Sequence, residues 1–205
     1  MTNYEKTKIA IHYRMLGMGM FNAVKAMNFA IDYHNGKRKD GNPEFSHQIF
    51  IANFAATLPI YDKEIMETLL CVIFLHDICE DYDVSFVDIE NKFGKNVAEA
   101  VKAITKVING KKLSEEIYMQ NIKTNIVAMI AKGCDRLHNI STMVGGFKPE
   151  KRVSYIRETS DYILPMLKYG RKNYPEYELA FENIKQSISG RIDIISYYEI
   201  KNITV

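Results

Sequence analysis

At 205 residues, 47% hydrophobic and 25% charged, the chain has the length and composition of one ordinary globular domain with a full hydrophobic core, which excludes a disordered or fibrous protein. A formal net charge of +2, from 27 basic and 25 acidic residues, excludes the broad basic field that advertises nucleic acid binding, so any preference for phosphate is local. The three cysteines, Cys71, Cys79 and Cys134, are sparse and lack C-x-x-C spacing, and are expected to be reduced, apolar packers in a cytoplasmic protein. The stretch "MTNYEKTKIAIHYRMLGMGMF" is broken by charges and by Gly17 and Gly19, so neither a signal sequence nor a bilayer span is expected there.

Apolar residues recur at helical spacing along nearly the whole chain, and alternating runs bounded by hairpin turns are lacking, which predicts an all-α fold. A first helix spans about 4–16 and stops at the glycines; a second, "FNAVKAMNFAIDYH", runs to about 34 and stops at Asn35-Gly36. The polar loop "GKRKDGNPEF" follows. A third helix covers about 46–58 before Pro59, and a fourth starts after Asp62 and carries "KEIMETLLCVIFLHDICED" to about 81. Ser85 and Asp88 have capping-box spacing before a short helix that stops at Gly94, and another helix spans about 95–107. Residues 109–114, "NGKKLS", form a second loop, then helices cover about 114–122 and 125–140 before Gly145-Gly146 turns the chain. Pro149 opens a long helix to about 169 with a kink at Pro165, and Pro175 opens a last helix over about 175–190. With no repeat or linker, residues 1–205 read as a single domain with its core over about 20–170.

The stretch "FLHDICED" is the chemical anomaly. On a helix over 62–81, His76 and Asp77 lie one turn before Glu80 and Asp81, so four polar heads converge at one end. Negative charge is unfavourable at the carboxyl end of a helix, and three carboxylates there call for a cation. A metal would supply it, and imidazole with carboxylate leaves Mn²⁺, Fe²⁺, Zn²⁺ and Co²⁺ open. Two other segments share the oddity: His47 opens an apolar helix in "FSHQIFIA", and Asp135 closes one in "IVAMIAKGCDRLHN". A core histidine and a capping aspartate are the structural alternatives.

The ordered blocks "FAIDYHNGKRKDGNPEFSHQIFIA", "LLCVIFLHDICED", "VDIENKFGKNVAEAVKAITK", "KGCDRLHNISTM" and "IRETSDYILPML" resemble the metal-dependent HD hydrolase domain of the RelA/SpoT homologue superfamily. The resemblance implies a helical bundle with a metal site at its centre, in which His47, His76, Asp77 and Asp135 bind one ion, usually Mn²⁺. It implies that Glu80 and Asp81 position and deprotonate the attacking water. The implied substrate is guanosine tetra- or pentaphosphate, (p)ppGpp, which loses its 3′-pyrophosphate to return GDP or GTP. Arg38 matches a residue that stacks on guanine, with Lys39 beside it offering a charge to phosphate. Asn139 and Thr142, about one and two turns after Asp135, match positions used against the nucleotide, and Lys132 lies three residues before Asp135, within reach of the same cleft. His138 reads as structural.

The chain departs from the family's usual pattern at Glu44, where an aromatic is usual, at Gln48, where a proline is, and at Ser141, where an arginine is. Glu44 adds negative charge close to a polyphosphate, which bears on nucleotide preference more than on hydrolysis. About 35 residues remain past 170, so the reading is a stand-alone small alarmone hydrolase acting on a small nucleotide, with no nucleic acid or membrane partner. The last helix packs on the bundle or serves a homo-oligomer contact. The alternatives are an HD phosphohydrolase of another nucleotide, ppApp or NADPH, and a non-catalytic protein that binds and neutralises the alarmone.

Overall fold

The computed structural model describes residues 1–38, 41–108 and 110–203, with the side chains of 199–203 excepted. The chain is a helical bundle, and several of its helices begin where a side chain satisfies the first free amides. Thr2 and Glu5 form a reciprocal capping box at the start of α1 (Asn3–Gly17). After α2 (Phe21–Ile31) and α3 (Ser46–Ala55), the Asp62 carboxylate accepts from the amides of Glu64 and Ile65 to start α4 (Lys63–Leu75). Ser85 and Asp88 cap α6 (Phe86–Phe93) reciprocally, as their spacing predicts. Gly94 then takes φ 91°, a conformation that favours glycine, and the chain turns into α7 (Lys95–Ile104). Ser114 and Asn125 cap α8 (Glu115–Lys123) and α9 (Ile126–Gly146).

The core is organised around α4 and α9. Residues 68–75 of α4 are buried without interruption, so this helix is apolar on every side, and it packs against α2, α3, α7 and α9. Each large apolar side chain buried there contributes about 1.5–3 kcal/mol. The three cysteines are unpaired; burial pushes the Cys79 thiol up to about 11 and raises those of Cys71 and Cys134. Among the described residues no helix is long and apolar enough to cross a membrane.

Several elements differ from the sequence expectation. The fourth helix does not run unbroken to 81: α4 ends at Leu75, His76 and Asp77 occupy the break, and α5 (Ile78–Asp81) begins afresh with Asp77 as its N-cap residue. A minimal hairpin, β1 (Val107–Ile108) and β2 (Lys111–Lys112), pairs antiparallel across the expected end of the helix and the start of the loop, with Gly110 at φ 72°, and α7 stops at Ile104 rather than 107. Helices α2 and α3 end about three residues early. Gly145 and Gly146 stay helical, and the turn falls at Phe147 and Lys148 instead. The helix over 149–169 divides into α10 (Pro149–Glu158), a π-helical turn (Thr159–Ile163) and α11 (Leu164–Asn173). Pro165 has no amide hydrogen, and the wide turn, in which the Leu164 amide donates to the Thr159 carbonyl, accommodates the missing bond. After a short turn at Pro175–Tyr177, α12 (Glu178–Ile203) runs well past 190.

α11 and α12 meet closely at Gly170, where an added Cβ would overlap the fully buried Phe181 ring. Gly170→Ala is expected to destabilise by about 1–2 kcal/mol, overpacking outweighing the gain in helix propensity. Gly190→Ala, with nothing within 4 Å of the added carbon, should stabilise by up to about 1 kcal/mol. Thermal melting of the two variants checks the contrast, which predicts shifts of opposite sign.

Candidate active site

Three elements deliver the polar side chains. The start of α3 supplies His47, the break after α4 supplies His76 and Asp77, and the middle of α9 supplies Asp135. Ligand atoms of His47, His76 and Asp77 all lie within 4.8 Å of one another, forming a group able to hold a metal ion. Asp135 adjoins it through His47, whose Nε2 is 3.1 Å from Asp135 Oδ1.

The outer nitrogens of both imidazoles are occupied. His76 Nδ1 lies 2.8 Å from the Ile73 carbonyl, which only accepts, so Nδ1 carries a hydrogen and Nε2 faces the cluster. There Nε2 meets Asp77 Oδ2 at 3.0 Å, a contact that needs either a proton or a cation between the two atoms. His47 Nδ1 is 2.9 Å from His138 Nδ1, which leaves its Nε2 facing inward. Outer partners of this kind orient imidazole ligands and set their tautomer. The donor set therefore fits a divalent transition metal.

The electrostatics divide the two histidines. Burial lowers the His47 pKa despite the opposing hydrogen bond and charge of Asp135. Burial also opposes charge on His76, yet Asp77, by charge and hydrogen bond, together with Asp135 raises it to about 9. Asp135 is buried; against that burial, Lys132 Nζ at 2.9 Å from Oδ2 and His47 hold it well below the usual carboxylate range. Asn139 Nδ2 completes its shell by donating to Oδ1 at 2.7 Å.

The two acids of α5 are placed differently. Glu80 Oε1 accepts from the Val107 amide at 3.2 Å and from the Lys106 amide, so it is tied to the start of the hairpin. Asp81 is raised by burial and by the neighbouring Asp77 and Glu80 carboxylates. The helix break puts both acids in the single turn of α5.

A cavity of about 370 Å³ lies between the 37–44 loop and the end of α9. Arg38, Asn139 and Thr142 line it together with Lys37, Glu44 and Phe147. The Thr142 hydroxyl donates within its own helix, to the His138 carbonyl at 3.0 Å. Lys39 lies outside the described residues. His138, expected to be structural, contacts His47; three positions after Asp135 it shares the same helical neighbourhood, a spacing that could have pointed to this contact. Lys37 and Phe147 also join the cavity only through the fold.

Residues 26–163 match the HD domain family. The chain belongs to that family. Its likeness is to RelA/SpoT-type HD hydrolase domains. It is 32% identical over 146 residues to the bifunctional (p)ppGpp synthase/hydrolase SpoT of Escherichia coli K12, an alignment covering 67% of this chain and 20% of the relative. It is also 32% identical over 152 residues to a probable guanosine-3′,5′-bis(diphosphate) 3′-pyrophosphohydrolase of Synechocystis sp., covering 69% and 19%. The chain thus spans about a fifth of the length of these curated relatives. Among solved structures, a metazoan ortholog of SpoT, described as hydrolysing ppGpp, aligns with a TM-score of 0.59 and 22% identity over 80% of this chain and 94% of the other. That likeness establishes the HD fold.

The raised His76 sets a pH dependence. As an imidazolium it contributes stability to the metal-free protein fully below its unfolded pKa of about 6.5, and this is lost as pH rises through about 9. A metal must displace that proton. Uptake of a divalent transition metal at pH 7 is expected to release about one proton, with affinity rising roughly tenfold per pH unit towards 9. Titration calorimetry in buffers of different ionisation enthalpy measures the release; pH-independent affinity would contradict the assignment.

Proposed function

We propose that the protein is a metal-dependent 3′-pyrophosphohydrolase of (p)ppGpp, using Mn²⁺ and working in the cytoplasm as a single hydrolase domain. The observation that carries the reading is the convergence of His47, His76 and Asp77, with both outer ring nitrogens engaged, beside a cavity rich in cations. The (p)ppGpp hydrolases among its relatives give the reading its substrate.

His47, His76, Asp77 and Asp135 would hold the ion, which when bound polarises phosphoryl oxygen and lowers the pKa of water. Lys132 and Asn139 fix the rotamer of Asp135 from within α9. Asp81, made more basic by burial and its acidic neighbours, takes the proton of the attacking water. Glu80, held by the amides of Lys106 and Val107, positions that water with its remaining acceptor capacity. The water oxygen forms the new bond to phosphorus, the bond from phosphorus to the 3′-oxygen breaks, and the 3′-oxygen gains a proton. Arg38, Lys39, Asn139 and Thr142 hold the nucleotide, Arg38 by stacking and Lys39 by charge. The retained Glu80 and Asp81 favour turnover over simple binding, because a binder has no use for a general base beside its metal.

Incubation of the protein with ppGpp and Mn²⁺ should release GDP and pyrophosphate, resolved by anion-exchange chromatography, with no product in EDTA. Failure with Mn²⁺, Fe²⁺, Zn²⁺ and Co²⁺ alike would overturn the proposal. Asp77→Ala is expected to remove metal and activity together. Asp81→Asn should retain metal and nucleotide binding while losing about 10²–10⁴-fold in kcat, and loss of metal from that variant would refute the division of roles.

A further inference from the structure

The lining of the 370 Å³ cavity holds three cations, Lys37, Arg38 and Lys151, and one acid, Glu44. An acid is unfavourable against phosphate, so its retention calls for a different contact at that end. Glu44 is firmly placed: Oε2 accepts from the Gly36 amide at 3.1 Å, and the Glu44 amide donates to the Gly36 carbonyl at 2.9 Å. The Tyr82 hydroxyl also donates to the carboxylate. A Cβ at residue 36 would lie 2.8 Å from Oε2, so the approach depends on glycine. Among the described residues these two donors leave the carboxylate with about two of its four acceptor sites free. Arg38 and Phe147, both flat groups suited to the face of a base, share the lining.

The part of a nucleotide that suits Glu44 is neutral and rich in donors. The Watson–Crick edge of guanine offers two adjacent donors, N1–H and the N2 amine, matched to a carboxylate. Adenine offers its N6 amine beside N1, whose lone pair would face the acid. We propose that Glu44 is a specificity-determining residue that reads guanine by accepting from N1–H and the N2 amine, so that the cavity takes guanosine and rejects adenosine nucleotides. The inference rests on the cavity being the nucleotide site of the proposed hydrolase.

The test pairs binding with turnover. Affinities for GDP, IDP, which lacks the N2 amine, and ADP are measured by calorimetry with Mn²⁺, and kcat/KM is measured for ppGpp and ppApp. The wild type should rank GDP above IDP above ADP. Glu44→Gln can still accept from Gly36 and Tyr82 but turns an amide donor towards the base. It should lower GDP affinity and kcat/KM for ppGpp by about 10- to 100-fold and leave ADP within about twofold. Glu44→Ala should also narrow the preference, with thermal melting confirming that both variants fold. Equal affinity of the wild type for GDP and ADP, binding of neither, or an equal loss for both in Glu44→Gln would overturn the inference. A guanine preference erased by Glu44→Gln in a protein that turns over no alarmone would sustain it while refuting the hydrolase reading.

Discussion

A carboxylate buried in the middle of a core helix constrains everything around it. Asp135 sits in α9 with little access to water, where an uncompensated charge would cost several kcal/mol. Lys132 and Asn139 satisfy it from one turn before and one turn after on the same helix, and His47 satisfies it from α3. The start of α3 is thereby fixed against the centre of α9. His138 then holds the far side of the His47 ring, and the position of that imidazole is set from two directions.

The second constraint is the break between α4 and α5. An unbroken helix would place Glu80 and Asp81 at a negative helix end beside Asp77, adding like charge to like. Ending α4 at Leu75 lets the His76 ring reach back to the Ile73 carbonyl and puts the two acids in a new first turn. The same break separates their environments. Glu80 is engaged by backbone amides at the hairpin, whereas Asp81 stays among acids and is raised by them.

Helix α9 runs from the buried carboxylate beside the His47, His76 and Asp77 cluster to the cavity. Residues 132, 135, 139 and 142 recur at helical spacing; the first three meet at the buried carboxylate, and Asn139 with Thr142 lines the cavity. Lys37, Arg38 and Glu44 bring opposing charges to the cavity lining, the cations suited to phosphate and the acid to a donor.

The all-α class, most helix starts and the grouping of His47, His76 and Asp77 were legible in the sequence. They rest on local rules: caps such as Ser85 with Asp88, the continuous apolar run of α4, and ordered blocks with a family resemblance. The helix ends were less legible. Gly145 and Gly146 stayed helical, and Pro165 produced a π-helical turn rather than a simple kink, because the packing around an element decides how a weak local preference resolves. The family resemblance grouped Asp135 with the cluster, but only the folded chain decided that its carboxylate would be shared by Lys132, Asn139 and His47, that His138 would support His47, and that Glu44 would line a cavity between two distant segments. Periodicity reports neighbours three or four residues apart, whereas His47 and Asp135 are 88 residues apart, and which side chains meet across such a distance is set by how the helices pack.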